Sequence, residues 1–145
     1  MIFKTPLDEE EFRRYYQLRW EVLRKPWGQP MGSEKADDEE TSIHGMMVDE
    51  EDHVLAVSRL HFNTPTEGQI RFMGVRDDCR GMGIGMQLLL EMEKIAVAKG
   101  MRQIRLHARE HAVDFYKNAS YTIEKDSYIL FGEIQHYEML KVLSK

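Results

Sequence analysis

Arg80, Gly81, Gly83 and Gly85, in the stretch CRGMGIGMQLL from Cys79 to Leu89, place one cation and three residues without a Cβ directly before a run of leucines. Glycine is a poor helix former, so three of them at a helix start need a reason. The first backbone N–H groups of a helix lack intrahelical partners, and the dipole adds positive potential there. Phosphate oxygens fill that vacancy. Residues without a Cβ let a bulky diphosphate reach the amides and let the chain take positive φ. Arg80 adds charge at the mouth.

Spacing chooses among the owners of such turns. A nucleoside-triphosphate loop requires Gly, four residues, then Gly-Lys-Ser/Thr, but Met86 stands five positions after Gly81. A dinucleotide fingerprint needs a glycine five positions after its first, where this chain has Met86 or Leu88, and the acid expected after the next strand is replaced by LHAR. What remains is Arg-x-x-Gly-x-Gly, read as Arg80, Gly83 and Gly85, with Gly81 easing the turn.

A strand must lead into this turn and a helix must leave it. GQIRFMGV (Gly68 to Val75) is short and β-rich, whereas Ile84, Leu88, Met92, Ile95 and Ala96 recur at helical spacing until Gly100 stops them. QIRLHA (Gln103 to Ala108) follows, which makes a βαβ unit with two parallel strands. Upstream, Thr5, Pro6 and LDEEEF read as an N-cap, a first-turn proline and acids at the dipole's positive end. The spacing predicts a helix from about Pro6 to Arg24, with Phe12, Tyr15, Tyr16, Val22 and Leu23 on its apolar face. Lys25 to Thr41 reads as a long irregular loop, or loops around a short helix, and IHGMMVDE (Ile43 to Glu50) and HVLAVSRLHF (His53 to Phe62) are expected to form an antiparallel meander with Gly68 to Val75. Downstream come a short helix over Arg109 to Ala119 and a closing antiparallel pair, YTIEKDSYIL and IQHYEMLKVL. The expected fold class is α/β with a mixed, mostly antiparallel sheet.

Composition bounds the possibilities. A chain of 145 residues fits one domain with a single core, residues 1 to 145. A net charge of −5 argues against nucleic acid and favours a cationic partner. The single cysteine, Cys79, excludes an internal disulfide framework and points to a reducing, cytoplasmic setting. No signal peptide is expected in MIFKTPLDEEEF, and no apolar stretch approaches the roughly 20 residues of a membrane span.

In this context FMGVRDDCRGMGIGMQLLLEMEKIAVAKG followed by IRLHAREHAVDFYKNASY resembles the two core motifs of the GNAT superfamily of N-acyltransferases, strongly from Ile70 to Tyr121. That family's motif is Arg or Gln, two residues, Gly, one residue, then Gly or Ala. The first half also resembles, more loosely, a bacterial subgroup with LRxxV in its first helix (Leu18, Arg19, Val22), an acidic loop leading to a histidine (ADDEETSIH, His44), and a late histidine and methionine (QHYEM). The resemblance implies a splayed parallel strand pair forming a V-shaped cleft for acetyl-CoA as co-substrate. Its pantetheine arm is expected along Met73, Gly74 and Val75, and its pyrophosphate on the amides of Arg80, Gly81, Met82, Gly83, Ile84 and Gly85. Tyr116, in FYKNASY, matches the tyrosine of FYxxxGF and would contact the cofactor and protonate the departing thiolate. Ala119-Ser120-Tyr121 departs from the usual apolar-Gly-Phe and leaves the form of the following turn open.

The implied reaction is acetyl transfer by direct attack of a primary amine, of a small molecule or a peptide, on the thioester. The alternative is a CoA-binding sensor or regulatory module without turnover. The general base is open among Glu67, His44, His61, His107, His111 and water. No metal is expected, because His107 and His111 straddle a strand end and a helix start. Cys79 reads as a surface thiol that CoA protects. Glu34, Asp37, Asp38, Glu39 and Glu40 read as a solvated acidic loop, with attraction of a polyamine, aminoglycoside or basic peptide as their functional reading. Arg59 and Arg71 would hold an acceptor carboxylate or pair internally with acids. The acceptor, the acyl-chain length and the oligomeric state have no local signature, and a homodimer is compatible with the chain.

Overall fold

The computed structural model describes residues 1–132 and 134–143. Its elements are β1 (Ile2–Lys4), α1 (Glu9–Leu23), β2 (Ile43–Val48), β3 (Val54–Thr64), β4 (Glu67–Val75), α2 (Ile84–Ala98), β5 (Gln103–Arg109), α3 (Val113–Asn118), β6 (Thr122–Leu130) and β7 (Ile134–Val142). The strands form one seven-stranded sheet in the order β1-β2-β3-β4-β5-β7-β6. The β4–β5 pair is parallel, from Glu67↔Gln103 to Ile70↔Leu106, while β1–β2, β2–β3, β5–β7 and β6–β7 are antiparallel. The mixed, mostly antiparallel α/β class is therefore as expected.

Close contacts divide the chain into two compact units, Met1–His61 with Phe72–Met92, and Phe62–Arg71 with Glu93–Lys145. In the first, α1 buries Tyr15, Leu18, Val22 and Leu23 against Met46 and Val48 of β2 and Val54 and Val57 of β3. Burial of this kind stabilises by about 25 cal/mol per Å² of apolar area. In the second, β5 alternates strictly: Ile104, Leu106 and Ala108 are buried, while Gln103, Arg105, His107 and Arg109 are half-buried on the other face.

Two local expectations are corrected, and one strand is new. The first helix begins at Glu9, not Pro6, because Asp8 is the better cap: its carboxylate accepts from Glu11 N at 2.8 Å, while Glu11 Oε1 accepts from Leu7 N at 2.9 Å. The three-residue strand β1, paired with β2, is too short to show a period. The short helix after β5 is a 3₁₀ turn, Glu110–Ala112, followed by α3. Among the described residues, no helix is long and apolar enough to cross a membrane.

Candidate active site

The glycine turn is built by the end of β4 and the start of α2. Arg76 N donates to Leu55 O at 2.8 Å and fixes where β4 stops, and a 3₁₀ turn over Asp77–Cys79 leads to Arg80. Gly81 and Gly83 then take φ of +78° and +79°. Gly83 O accepts the first helical bond, from Gln87 N at 3.1 Å, so Gly83 caps α2 without a side chain that could satisfy the leading amides. A Cβ on Gly81 or Gly83 would meet nothing within 4 Å. Backbone conformation, not crowding, excludes side chains here, and the space above the amides is open to an anion. Arg80 makes a 3.1 Å ion pair with Asp77, exposed on both sides and therefore weak. Met82 stands 67% exposed at the rim.

The strand before the turn is irregular in a specific way. Gly68 and Ile70 are buried in alternation, but from Phe72 to Val75 every residue is half-buried. The break coincides with Phe72, whose φ is +55°, a conformation that bulky residues rarely adopt. Two residues on, a Cβ at Gly74 would lie 2.5 Å from Val22 Cγ2, so α1 presses directly on the backbone of Gly74. Such a segment offers main-chain groups rather than side chains.

Tyr116 is buried on α3, edge-on to Phe115 at 5.0 Å and to Tyr121 at 5.8 Å. Burial raises its phenol pKa, against a smaller lowering by Arg109, so the hydroxyl keeps its proton at neutral pH. The turn after α3 keeps a left-handed residue although no glycine is present: Ser120 has φ +76°, with its N–H donating to Lys117 O at 3.0 Å. Tyr121 is structural. Its hydroxyl donates to Glu93 Oε2 at 2.9 Å, and Lys141 holds Glu93 Oε1 at 2.8 Å.

The five base candidates separate sharply. Glu67 accepts from Arg105 Nε at 3.1 Å, Gln103 at 2.6 Å and Asn63 at 2.9 Å, and Arg105 first of all lowers its carboxyl to about 2, which makes it a feeble base. Arg105 is also bonded to Glu124 and Glu138. His44 is held at both nitrogens, by Tyr15 Oη at 2.9 Å and Glu39 O at 2.8 Å, with burial lowering its pKa. His61 Nδ1 lies 3.0 Å from Arg59 Nη2, and because a guanidinium only donates, the neutral ring must carry its proton on Nε2. His111 is exposed ahead of α3. His107, the residue after the last β4–β5 rung, has a buried Nδ1 without a hydrogen-bond partner, and burial lowers its pKa so that it is neutral near pH 7. Its ring lies 5.5 Å from Tyr128, which stacks on His136 at 4.3 Å.

The acidic loop is not simply solvated, contrary to expectation. Glu39 is a junction: its Oε1 accepts from Arg19 Nη1 at 2.9 Å and Tyr16 Oη at 3.0 Å, its Oε2 from Arg59 Nη1 at 2.9 Å and Ala36 N at 2.9 Å. Asp38 grips Arg59 at 2.8 and 3.2 Å, and Glu34 is buried with its carbonyl accepting from Arg19. Both guanidiniums are fully buried, so Arg59 pairs internally. The clue was present in the sequence only as arginines at positions 19 and 59 facing acids some 20 residues away, a separation no local pattern resolves. Cys79 is buried rather than on the surface, and burial, with Asp78 beside it, raises its thiol pKa. Asp49, Glu51 and His53 bring three ligand atoms within 4.8 Å, but Asp49 there caps a turn, accepting from Glu51 N and His53 N at 2.9 Å each.

Known proteins place these features in company. The acetyltransferase (GNAT) family model matches residues 12–121. The chain is 28% identical over 134 residues to the uncharacterized N-acetyltransferase YjcF of Bacillus subtilis, covering 92% of this chain and 94% of that one. Its fold is similar to that of Escherichia coli ElaA, with a TM-score of 0.82 at 19% identity over 97% of this chain and 98% of that one. It is also similar to an aminoglycoside 6'-N-acetyltransferase complexed with coenzyme A, with a TM-score of 0.75 at 19% identity over 100% and 99% of the two chains.

Proposed function

The chain belongs to the acetyltransferase (GNAT) family, and from that premise we propose that it transfers an acetyl group from acetyl-CoA to a primary amine of a small molecule or peptide. The observation that carries this reading is the open, amide-lined turn from Arg80 to Gly85 at the head of α2. When bound, acetyl-CoA supplies the activated thioester. The amides of Arg80, Gly81, Met82, Gly83, Ile84 and Gly85 hold the diphosphate, with the dipole of α2 and Arg80 adding positive potential. Main-chain groups of Met73 and Val75 hold the pantetheine arm in the manner of an added strand.

Direct attack needs a proton acceptor for the amine and a donor for the departing sulfur. Tyr116 is suited to donate, because its hydroxyl stays protonated and has no hydrogen-bond partner among the described residues. Of the five acceptors considered, His107 is neutral and keeps one ring nitrogen unclaimed, whereas Glu67 and His44 are committed to internal bonds. An acceptor carrying positive charge suits the net charge of −5, and the aminoglycoside acetyltransferase of similar fold is a precedent for such an amine. The test is thiol release from acetyl-CoA by the wild-type protein across polyamines, aminoglycosides and basic peptides. Release that depends on at least one amine supports the reading. Tight binding of acetyl-CoA without release on any amine would favour a sensor instead.

A further inference from the structure

The Glu39 junction reaches β4 through an aromatic ring. Arg19 and Arg59, both held by Glu39, also lie against the ring of Phe72, with guanidinium carbons 4.4 and 5.1 Å from its centroid. Phe72 is the residue in the left-handed conformation that breaks the alternation of β4, immediately before Met73, Gly74 and Val75. A phenylalanine at φ +55° is strained, and persists only where its surroundings over-determine it. Here those surroundings are the buried cations Arg19 and Arg59 over the ring, with Arg24 farther off at 5.7 Å and the apolar core around α1 beside it, and the cation contacts are strengthened by desolvation. Asp38 also grips Arg59, but Glu39 is the carboxylate that bridges the two buried guanidiniums.

We propose that Glu39 is a positioning residue for the cofactor strand: by bridging Arg19 and Arg59 it holds them on Phe72 and so fixes the kink that presents the main chain of Met73 to Val75. This rests on the function proposed above, since it assigns that main chain to the pantetheine arm. It gives the acidic loop a purpose on the donor side of the reaction, distinct from attraction of an acceptor. The chain of contacts is loop to guanidiniums, guanidiniums to ring, ring to strand.

The test compares Glu39→Gln with wild type and with Glu50→Gln, a loss of the same charge at an exposed site. Removing an acid should, by its field alone, tighten binding of anionic CoA. Positioning predicts the reverse: in Glu39→Gln the Kd for CoA, by calorimetry, rises at least tenfold, the KM for acetyl-CoA follows it, and kcat at saturation stays within threefold. Hydrogen exchange at the amides of Met73, Gly74 and Val75 in the ligand-free protein speeds up at least tenfold, while Glu50→Gln leaves the exchange unchanged and does not weaken CoA binding. Phe72→Leu, which keeps the ion pairs and removes the ring, gives the same pattern and serves if Glu39→Gln does not fold. A folded Glu39→Gln or Phe72→Leu with wild-type exchange at those three amides overturns the proposal, as does CoA binding as tight as wild type. Failure of the wild type to bind CoA would instead overturn the proposed function, and the exchange rates would still decide the role of Glu39.

Discussion

Around Gly81 and Gly83 nothing lies within 4 Å of where a side chain would begin, whereas both carboxylate oxygens of Glu39 are taken, by Arg19, Tyr16, Arg59 and Ala36. One region is open, polar through its backbone and almost without side-chain contacts. The other is closed and satisfied by side chains from α1, β3 and the intervening loop. On the proposed function, the difference separates two ways of serving an anionic ligand. The turn would be completed from outside, so its residues contribute little to the stability of the ligand-free protein. The junction is completed from inside, so it contributes stability and is spent before any ligand arrives.

Substitutions at the two regions should therefore break different properties. Glu39→Gln leaves buried Arg19 without its carboxylate and Arg59 with Asp38 alone, and is expected to cost about 3 kcal/mol in urea unfolding, the range for breaking a buried pair. Gly83→Glu should do the converse. Its φ of +79° adds strain of only about 1 kcal/mol, but a side chain and a negative charge over the amides should weaken CoA binding by roughly 100-fold in a titration. Glu67 is a second closed site and shows itself through pH. Its folded pKa, about 2, lies below the ordinary 4.5, so its contribution is present above pH 4.5 and lost as pH falls toward 2. Glu67→Gln should accordingly flatten stability across that window, removing on the order of 2 kcal/mol measured at pH 5 but little at pH 2. Tyr116→Phe tests the open hydroxyl: kcat should fall roughly tenfold in a thiol-release assay, at the low end for a general acid because a thiolate leaves readily, with CoA affinity unchanged.

The same contrast explains what the amino-acid sequence discloses. The turn is local: an arginine, glycines at fixed offsets, a strand before and an amphipathic helix after all lie within about one βαβ unit, so its form could be read in a single window. The sheet class followed for the same reason, since hairpin-length breaks and one crossover leave few topologies. Ser120 was harder, because a serine at φ +76° does by tertiary constraint what glycine does by permission. The junction was not legible as a junction. Asp38 and Glu39 look like any solvated acids in an irregular loop, and only the fold brings Arg19 from α1 and Arg59 from β3 to meet them. Cys79 misled in the same way, since neighbouring charges and a glycine turn suggest exposure that burial denies.

Calorimetry with CoA against pantetheine, which lacks the diphosphate and the nucleotide beyond it, tests whether the amides from Arg80 to Gly85 take the diphosphate. CoA should bind, and pantetheine should bind at least 100-fold more weakly. Equal affinities for the two, or no binding of CoA, would contradict that assignment.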